Sequence, residues 1–113
     1  MIAVAPETLV RTALARITEH NISQLPVILD GECVGHVSEA TLMTRVLESP
    51  GLLDEPVRKA MDPPLPVVDS HAELHSVTGL LTRQNPAVLV RREGDIAGII
   101  TRYDVLRHMT GIN

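Results

Sequence analysis

The chain has 113 residues, 44% of them hydrophobic, and a net charge of −4 at neutral pH. That is enough chain for one domain, or two half-domains sharing a core, and too acidic for the basic face that general nucleic-acid or membrane-surface binding uses. Aromatics make up 1% and Cys33 is the single cysteine, so the core is aliphatic, an internal disulfide framework is excluded, and a reducing, cytoplasmic setting is expected. No apolar run approaches the roughly 18 residues of a membrane span, and no signal-peptide pattern is present.

In chain order, a short β-rich start at Ile2–Val4 leads into a helix predicted from about Thr8 to Glu19, with Leu9, Ala13, Leu14 and Ile17 on one face. Two strands follow, joined at Asp30-Gly31, a tight-turn signal between β-rich runs. A short helix over 39–47 closes this part. Residues 49–66, "SPGLLDEPVRKAMDPPLP", are rich in proline. Pro56 is suited to open a short helix through Met61, and Pro63, Pro64 and Pro66 enforce extended chain.

The same order then returns. Pro66–Val68 is β-rich, and a second helix is predicted from Ser70, which forms an S-x-x-E capping box with Glu73 ahead of the stripe Leu74, Val77, Leu80 and Leu81. A turn at Glu93-Gly94 separates two more strands. A helix over 102–110 is followed by Gly111, which suits a helix stop.

Two segments align without a gap: "LPVILDGECVGHVSEATLM" (25–43) and "VLVRREGDIAGIITRYDVL" (88–106). Gly31 matches Gly94, Gly35 matches Gly98, Ser38 matches Thr101 and Leu42 matches Val105, at one offset that also pairs Val4 with Val67 and Ile17 with Leu80. Each copy reads β-α-β-β-α. A unit of about 45 residues is marginal alone, so an α/β (α+β) fold of two pseudo-symmetric copies packed sheet to sheet is expected.

The second copy's last strand runs Gly98-Ile99-Ile100-Thr101 and is followed by Arg102-Tyr103-Asp104. Thr101 and Asp104 have the spacing of a capping box, which any helix can use without a ligand. The same helix N-terminus offers unpaired N–H groups and a positive dipole end to a phosphate, and a carboxylate there can accept from both hydroxyls of a ribose.

Other polar residues form no constellation. His71 and His75 are four apart, but no third ligand accompanies them, so a solvated face is the better reading. His20, His36 and His108 stand singly. Cys33 has no Cys or His partner in its strand and reads as a small buried residue. No Gly-rich phosphate loop, nucleophile–base pair or catalytic dyad is present.

The G-h-h-[ST]-x-x-D pattern (h apolar) at Gly98–Asp104 and the "I-x-x-L-P-V" approach at Ile22–Val27 resemble the two halves of a tandem CBS-domain module, and the resemblance covers nearly the whole chain. It implies two CBS motifs, 1–48 and 67–113, around a Pro-rich linker at 49–66. It also implies an adenosyl ligand: Asp104 on the ribose, Thr101 on ribose or phosphate, with Arg102 and Tyr103 beside them. The base would lie in an apolar slot from Ile22, Ser23, Gln24, Leu25 and Pro26, with Ala3 and Val4 nearby, read by backbone groups.

In the first copy Thr41 stands where the family carries Asp, and the matching slot would be Asn85, Pro86, Ala87 and Val88, with Arg91 and Arg92 adding charge. One working nucleoside site is therefore expected.

"HVSEATLM", "MDPPLPVV" and "GIITRYDVL" also look like the C-terminal regulatory module of bacterial cystathionine β-synthase. That implies a fragment of a longer protein. S-adenosylmethionine is then the first effector and AMP or ATP the next. Pyridoxal phosphate is expected only in a separate catalytic domain, and neither a metal nor catalytic residues in this chain. The competing expectation is a ligand-free dimerisation module, a homodimer through helical residues such as Leu42, Val46, Leu47, Leu106 and Met109.

Overall fold

The computed structural model describes residues 1–82 and 85–111. In chain order it contains α1 (Val10–His20), β1 (Gln24–Leu29), β2 (Glu32–Ser38), α2 (Glu39–Glu48), two 3-10 turns (Pro50–Asp54 and Val57–Lys59), β3 (Val67–Asp69), α3 (Leu74–Leu80), β4 (Ala87–Arg92), β5 (Asp95–Thr101) and α4 (Arg102–Thr110). It is a mixed α/β fold with two small sheets, β1-β2 and β3-β4-β5. The chain divides into two units at the boundary between Pro64 and Leu65.

The two hairpins show the repeat most directly. Asp30-Gly31 and Glu93-Gly94 both have positive φ at both positions (50° and 79°; 51° and 87°), the backbone of a type I′ turn that matches the strands' right-handed twist. Each antiparallel pair also slips register at the matching place, after Val27 and after Val90. Val34 and Ala97 are thereby left as the extra residue of a bulge, whose unpaired backbone sharpens the local twist.

In the first unit, α1 lays Val10, Ala13 and Ile17 on the core formed by Leu25, Val27, Val37 and Leu42. Ala13 and Ile17 are buried as expected, but at the helix start Val10 is buried and Leu9 is 41% exposed. Leu9 is the helix N-cap in extended backbone, and it pairs with Pro56 instead of packing inward. The β-rich start shrinks to one parallel bridge, Val4 to Val27.

The Pro-rich segment is fastened to this unit. Val10 N–H donates to Glu55 O (2.9 Å), Val57 N–H to Thr8 O (2.7 Å), and His36 and Asp62 exchange backbone bonds at 3.0 and 2.8 Å. Arg45 reaches over from α2 to Ala60 O and to Asp62 Oδ1 (2.8 Å). Pro56 caps a single 3-10 turn rather than a helix through Met61, while a further 3-10 turn at Pro50–Asp54 went unsignalled.

In the second unit β3 pairs parallel to β4. Ala87, Val88 and Leu89 are fully buried, with Val77 of α3 and Val105 of α4 also inside. The expected Ser70–Glu73 capping box does not form. Helix α3 starts at Leu74, with Glu73 as an N-cap whose side chain makes no capping hydrogen bond. The turn at 69–71 is closed by Asp69 instead, whose Oδ1 accepts from His71 N–H at 2.9 Å. That bond, with the His71 ring, holds the exposed Asp69 carboxyl below its ordinary range. Starting four residues late leaves Leu74 46% exposed and only Val77 of the stripe buried.

Candidate functional site

Thr101 ends β5 and N-caps α4, with extended backbone at φ −105° and ψ 167°. Its hydroxyl accepts from Asp104 N–H at 3.2 Å, and Asp104 Oδ2 accepts from Thr101 N–H at 2.8 Å. The capping box is complete, satisfying donors that a helix start otherwise leaves open. The Thr101 hydroxyl lies 3.0 Å from the same Oδ2. The carboxylate orientation is thus set by the helix it begins.

Oδ1 has a different neighbour. Arg107, one turn along α4, donates to it at 3.0 Å, and the Arg107 guanidinium lies over the Tyr103 ring, 5.0 Å from the centroid. Partial burial raises the Asp104 carboxyl, but Thr101 N–H, the Arg107 guanidinium and the Thr101 hydroxyl outweigh it and hold the group below the ordinary carboxylate range. Arg107 did not enter the sequence reading. The signal was present in its spacing, three residues after Asp104 and four after Tyr103.

A lowered folded value means protonation favours the unfolded chain. The stabilisation is therefore complete above the ordinary aspartate value near ~3.9 and is lost as pH falls through the lowered folded value. Thermal melts across the acid range should show stability falling on acidification, with Asp104→Asn removing part of that dependence. A variant with the parent's pH dependence would contradict the assignment.

The residues expected to take the base lie in the first unit. Val4 runs beside β1, with Val4 N–H on Pro26 O (3.1 Å) and Ile28 N–H on Val4 O (2.8 Å), while Ile22 N–H closes on Ile17 O (3.1 Å). Leu25 is fully buried in the α1-side core. Ser23 is exposed, and its carbonyl accepts from Glu39 N–H at 3.0 Å. Gln24 Oε1 is buried with no hydrogen-bond partner among the described residues.

At the matching helix start in the first unit, Ser38 Oγ accepts from Thr41 N–H at 3.4 Å. Thr41 provides no carboxylate to reach back, so this cap lacks the reciprocal bond and the charge found at Thr101–Asp104. A cavity of about 280 Å³ lined by Thr78, Leu81, Arg102, Val105, Leu106 and Met109 includes neither Thr101 nor Asp104.

His71 and His75 do not converge: each faces its own carboxylate, Asp69 (3.0 Å) and Glu73 (3.1 Å), at 93% and 80% side-chain exposure. No group of three metal-binding side chains occurs among the described residues. Cys33 is half-buried and its thiol donates to Gly35 O at 3.2 Å. Leu42 is fully buried in the first unit's core and does not serve as an outward helix contact, whereas Leu47, Leu106 and Met109 are 80%, 56% and 70% exposed.

The sequence profile of the CBS domain matches residues 1–48 and again 57–111. The chain belongs to the CBS-domain family. Its two copies form a CBS pair, a regulatory rather than catalytic module.

Solved structures agree. The chain is 30% identical to CBSX2, solved in complex with AMP, over 99% of this chain and 89% of that one, at TM-score 0.78. It is 30% identical to an uncharacterized conserved protein from Pyrococcus horikoshii, over 96% and 84% of the two chains, at TM-score 0.76. A CBS-domain protein from Agrobacterium tumefaciens shares the fold at TM-score 0.82 with 23% identity, over 96% and 89%. No described helix of this CBS pair is long and apolar enough to cross a membrane.

Proposed function

We propose that this CBS pair is an adenosyl-ligand sensor that controls a catalytic domain by population shift. The observation that carries the reading is the ionised Asp104, pinned by the α4 capping box at a helix N-terminus within the pattern Gly98–Asp104. Asp104 takes the ribose, Thr101 the ribose or phosphate, and Arg102 and Tyr103 flank them. The family resemblance assigns the base to the backbone of Ile22–Pro26, with Val4, in the first unit. The unpartnered Gln24 Oε1 supports this, because an acceptor buried without a donor is unfavourable and an exocyclic amine of a base would satisfy it.

Occupancy would favour whichever arrangement of the module binds the ligand more tightly, and so the enzyme state that goes with it. An adenosyl ligand such as AMP is supported by the AMP complex of CBSX2 at 30% identity. S-adenosylmethionine and a cystathionine β-synthase parent rest on the resemblance of "HVSEATLM", "MDPPLPVV" and "GIITRYDVL". The pyridoxal phosphate of such a parent belongs to its catalytic domain. The exposed Leu47, Leu106 and Met109 favour a homodimer through the helices, which is compatible with ligand binding.

Thermal unfolding with AMP, ADP, ATP and S-adenosylmethionine in turn tests the sensor. A ligand at 100 times its dissociation constant adds about 2.7 kcal/mol, which for a domain near this size raises the midpoint by on the order of 10 °C. No shift with any of the four, together with a stable dimer, would favour the ligand-free dimerisation module.

A further inference from the structure

A ribose diol gripped by a carboxylate ordinarily uses both oxygens, one for each hydroxyl. In Asp104, Oδ2 already accepts from Thr101 N–H at 2.8 Å and lies 3.0 Å from the Thr101 hydroxyl. A carboxylate oxygen has two lone-pair directions; with the Thr101 hydroxyl donating to Oδ2, both serve the helix cap, and Thr101 meets the ribose as an acceptor rather than donating to a phosphate. Releasing it would dismantle the capping box that positions the carboxylate. The two ribose hydroxyls must therefore share the two lone-pair directions of Oδ1, and one of these is taken by Arg107 Nη2 at 3.0 Å.

Two features make Arg107 displaceable without being lost. The pair is close to the surface, with side chains 45% and 39% exposed, a setting in which ion pairs are weak. In the same pose the guanidinium also lies over the face of Tyr103, 5.0 Å from the ring centroid, a contact that does not depend on Oδ1. Moved off Oδ1, it stays beside the α4 N-terminus, where it can make a charge-assisted bond to a phosphate oxygen.

Building on the sensor reading above, we propose that Arg107 is a specificity-determining residue. It competes with ribose for Asp104 Oδ1 and, once displaced, selects ligands that carry a negative group at the ribose 5′ position over uncharged or cationic nucleosides. Arg107 therefore opposes binding of adenosine and supports binding of AMP.

The test is the dissociation constants of adenosine, AMP and S-adenosylmethionine for the parent chain, Arg107→Gln and Asp104→Ala, by titration calorimetry. Arg107→Gln should tighten adenosine by about two- to fivefold, the range set by an exposed ion pair. It should weaken AMP by about tenfold or more, the loss of one bond to a charged group. S-adenosylmethionine, whose sulfonium is repelled by the guanidinium, should move with adenosine.

A parallel fall for all three ligands would make Arg107 a structural support of the cap and overturn the proposal. Unchanged constants would overturn it as well. A readout without ligand keeps the competition testable: removing Arg107 should raise the Asp104 titration midpoint in carboxyl-detected NMR, and an unmoved midpoint contradicts the pairing. Binding by the parent that survives Asp104→Ala would defeat the underlying sensor reading instead, whatever Arg107→Gln does.

Discussion

Asp104→Ala should weaken AMP binding by at least about a hundredfold while the far-UV circular dichroism spectrum stays that of the parent. Hydrogen bonds to a charged group contribute about 1.5–3 kcal/mol each, and each 1.4 kcal/mol is about a factor of ten in affinity. Two such bonds to ribose hydroxyls account for the loss. The same substitution removes half of the α4 capping box, and a cap contributes about 1 kcal/mol. The variant should therefore melt a few degrees lower without unfolding. Thr41→Ala is the matched control at the other helix start, where no carboxylate reaches back to the cap. It should leave the dissociation constant unchanged. Calorimetric titration of the three chains decides it; an Asp104→Ala variant that binds like the parent removes the assignment.

The largest stability effect should come from a glycine. Gly35→Ala and Gly98→Ala are the same substitution at matching positions of the repeat, and they should differ in sign. A Cβ on Gly35 would sit 2.5 Å from Met61 Sδ, 2.9 Å from Met61 Cγ and 2.8 Å from the Asp62 carbonyl oxygen. The Met61 side chain can turn away. The carbonyl cannot easily retreat, because it accepts from His36 N–H at 3.0 Å and its own residue donates back to His36 O at 2.8 Å.

Overpacking of this kind costs about 1–3 kcal/mol, and each kcal/mol lowers the midpoint of a domain near this size by roughly 4–8 °C. A Cβ on Gly98 meets nothing within 4 Å among the described residues, and its φ is not positive. Gly98→Ala should be neutral or stabilise by up to about 1 kcal/mol through the unfolded chain. Thermal melts of both variants side by side test this. Equal effects would mean that the Pro-rich segment does not pack on β2 as described.

That contrast marks what the sequence could and could not reveal. Turns, strands and the last helix of each copy were legible because they rest on local chemistry: Asp30-Gly31, Glu93-Gly94 and Gly111 sit where positive φ is required. Helix starts were less legible. Ser70 and Glu73 satisfy the pattern of a capping box, yet Asp69 captures the turn first and α3 begins at Leu74. Leu9 fits the apolar stripe of α1 but is held at the N-cap by its pairing with Pro56, a contact from the linker that no periodicity encodes.

Burial of Leu42 was likewise invisible. A two-faced helix shows which residues are apolar, not which apolar face is already covered. At the site, Thr101 and Asp104 stood out by spacing. The commitment of Oδ2 to the cap and of Oδ1 to Arg107 emerged only from the distances.

The central claim is that an adenosyl ligand sits on the start of α4. Titrating AMP into the ¹⁵N-labelled chain and following backbone amide shifts tests it most directly. Saturable shifts are expected at Thr101, Arg102, Tyr103 and Asp104, with the amide of Thr41 unmoved. Shifts confined to the start of α2, or none at any concentration, would contradict it.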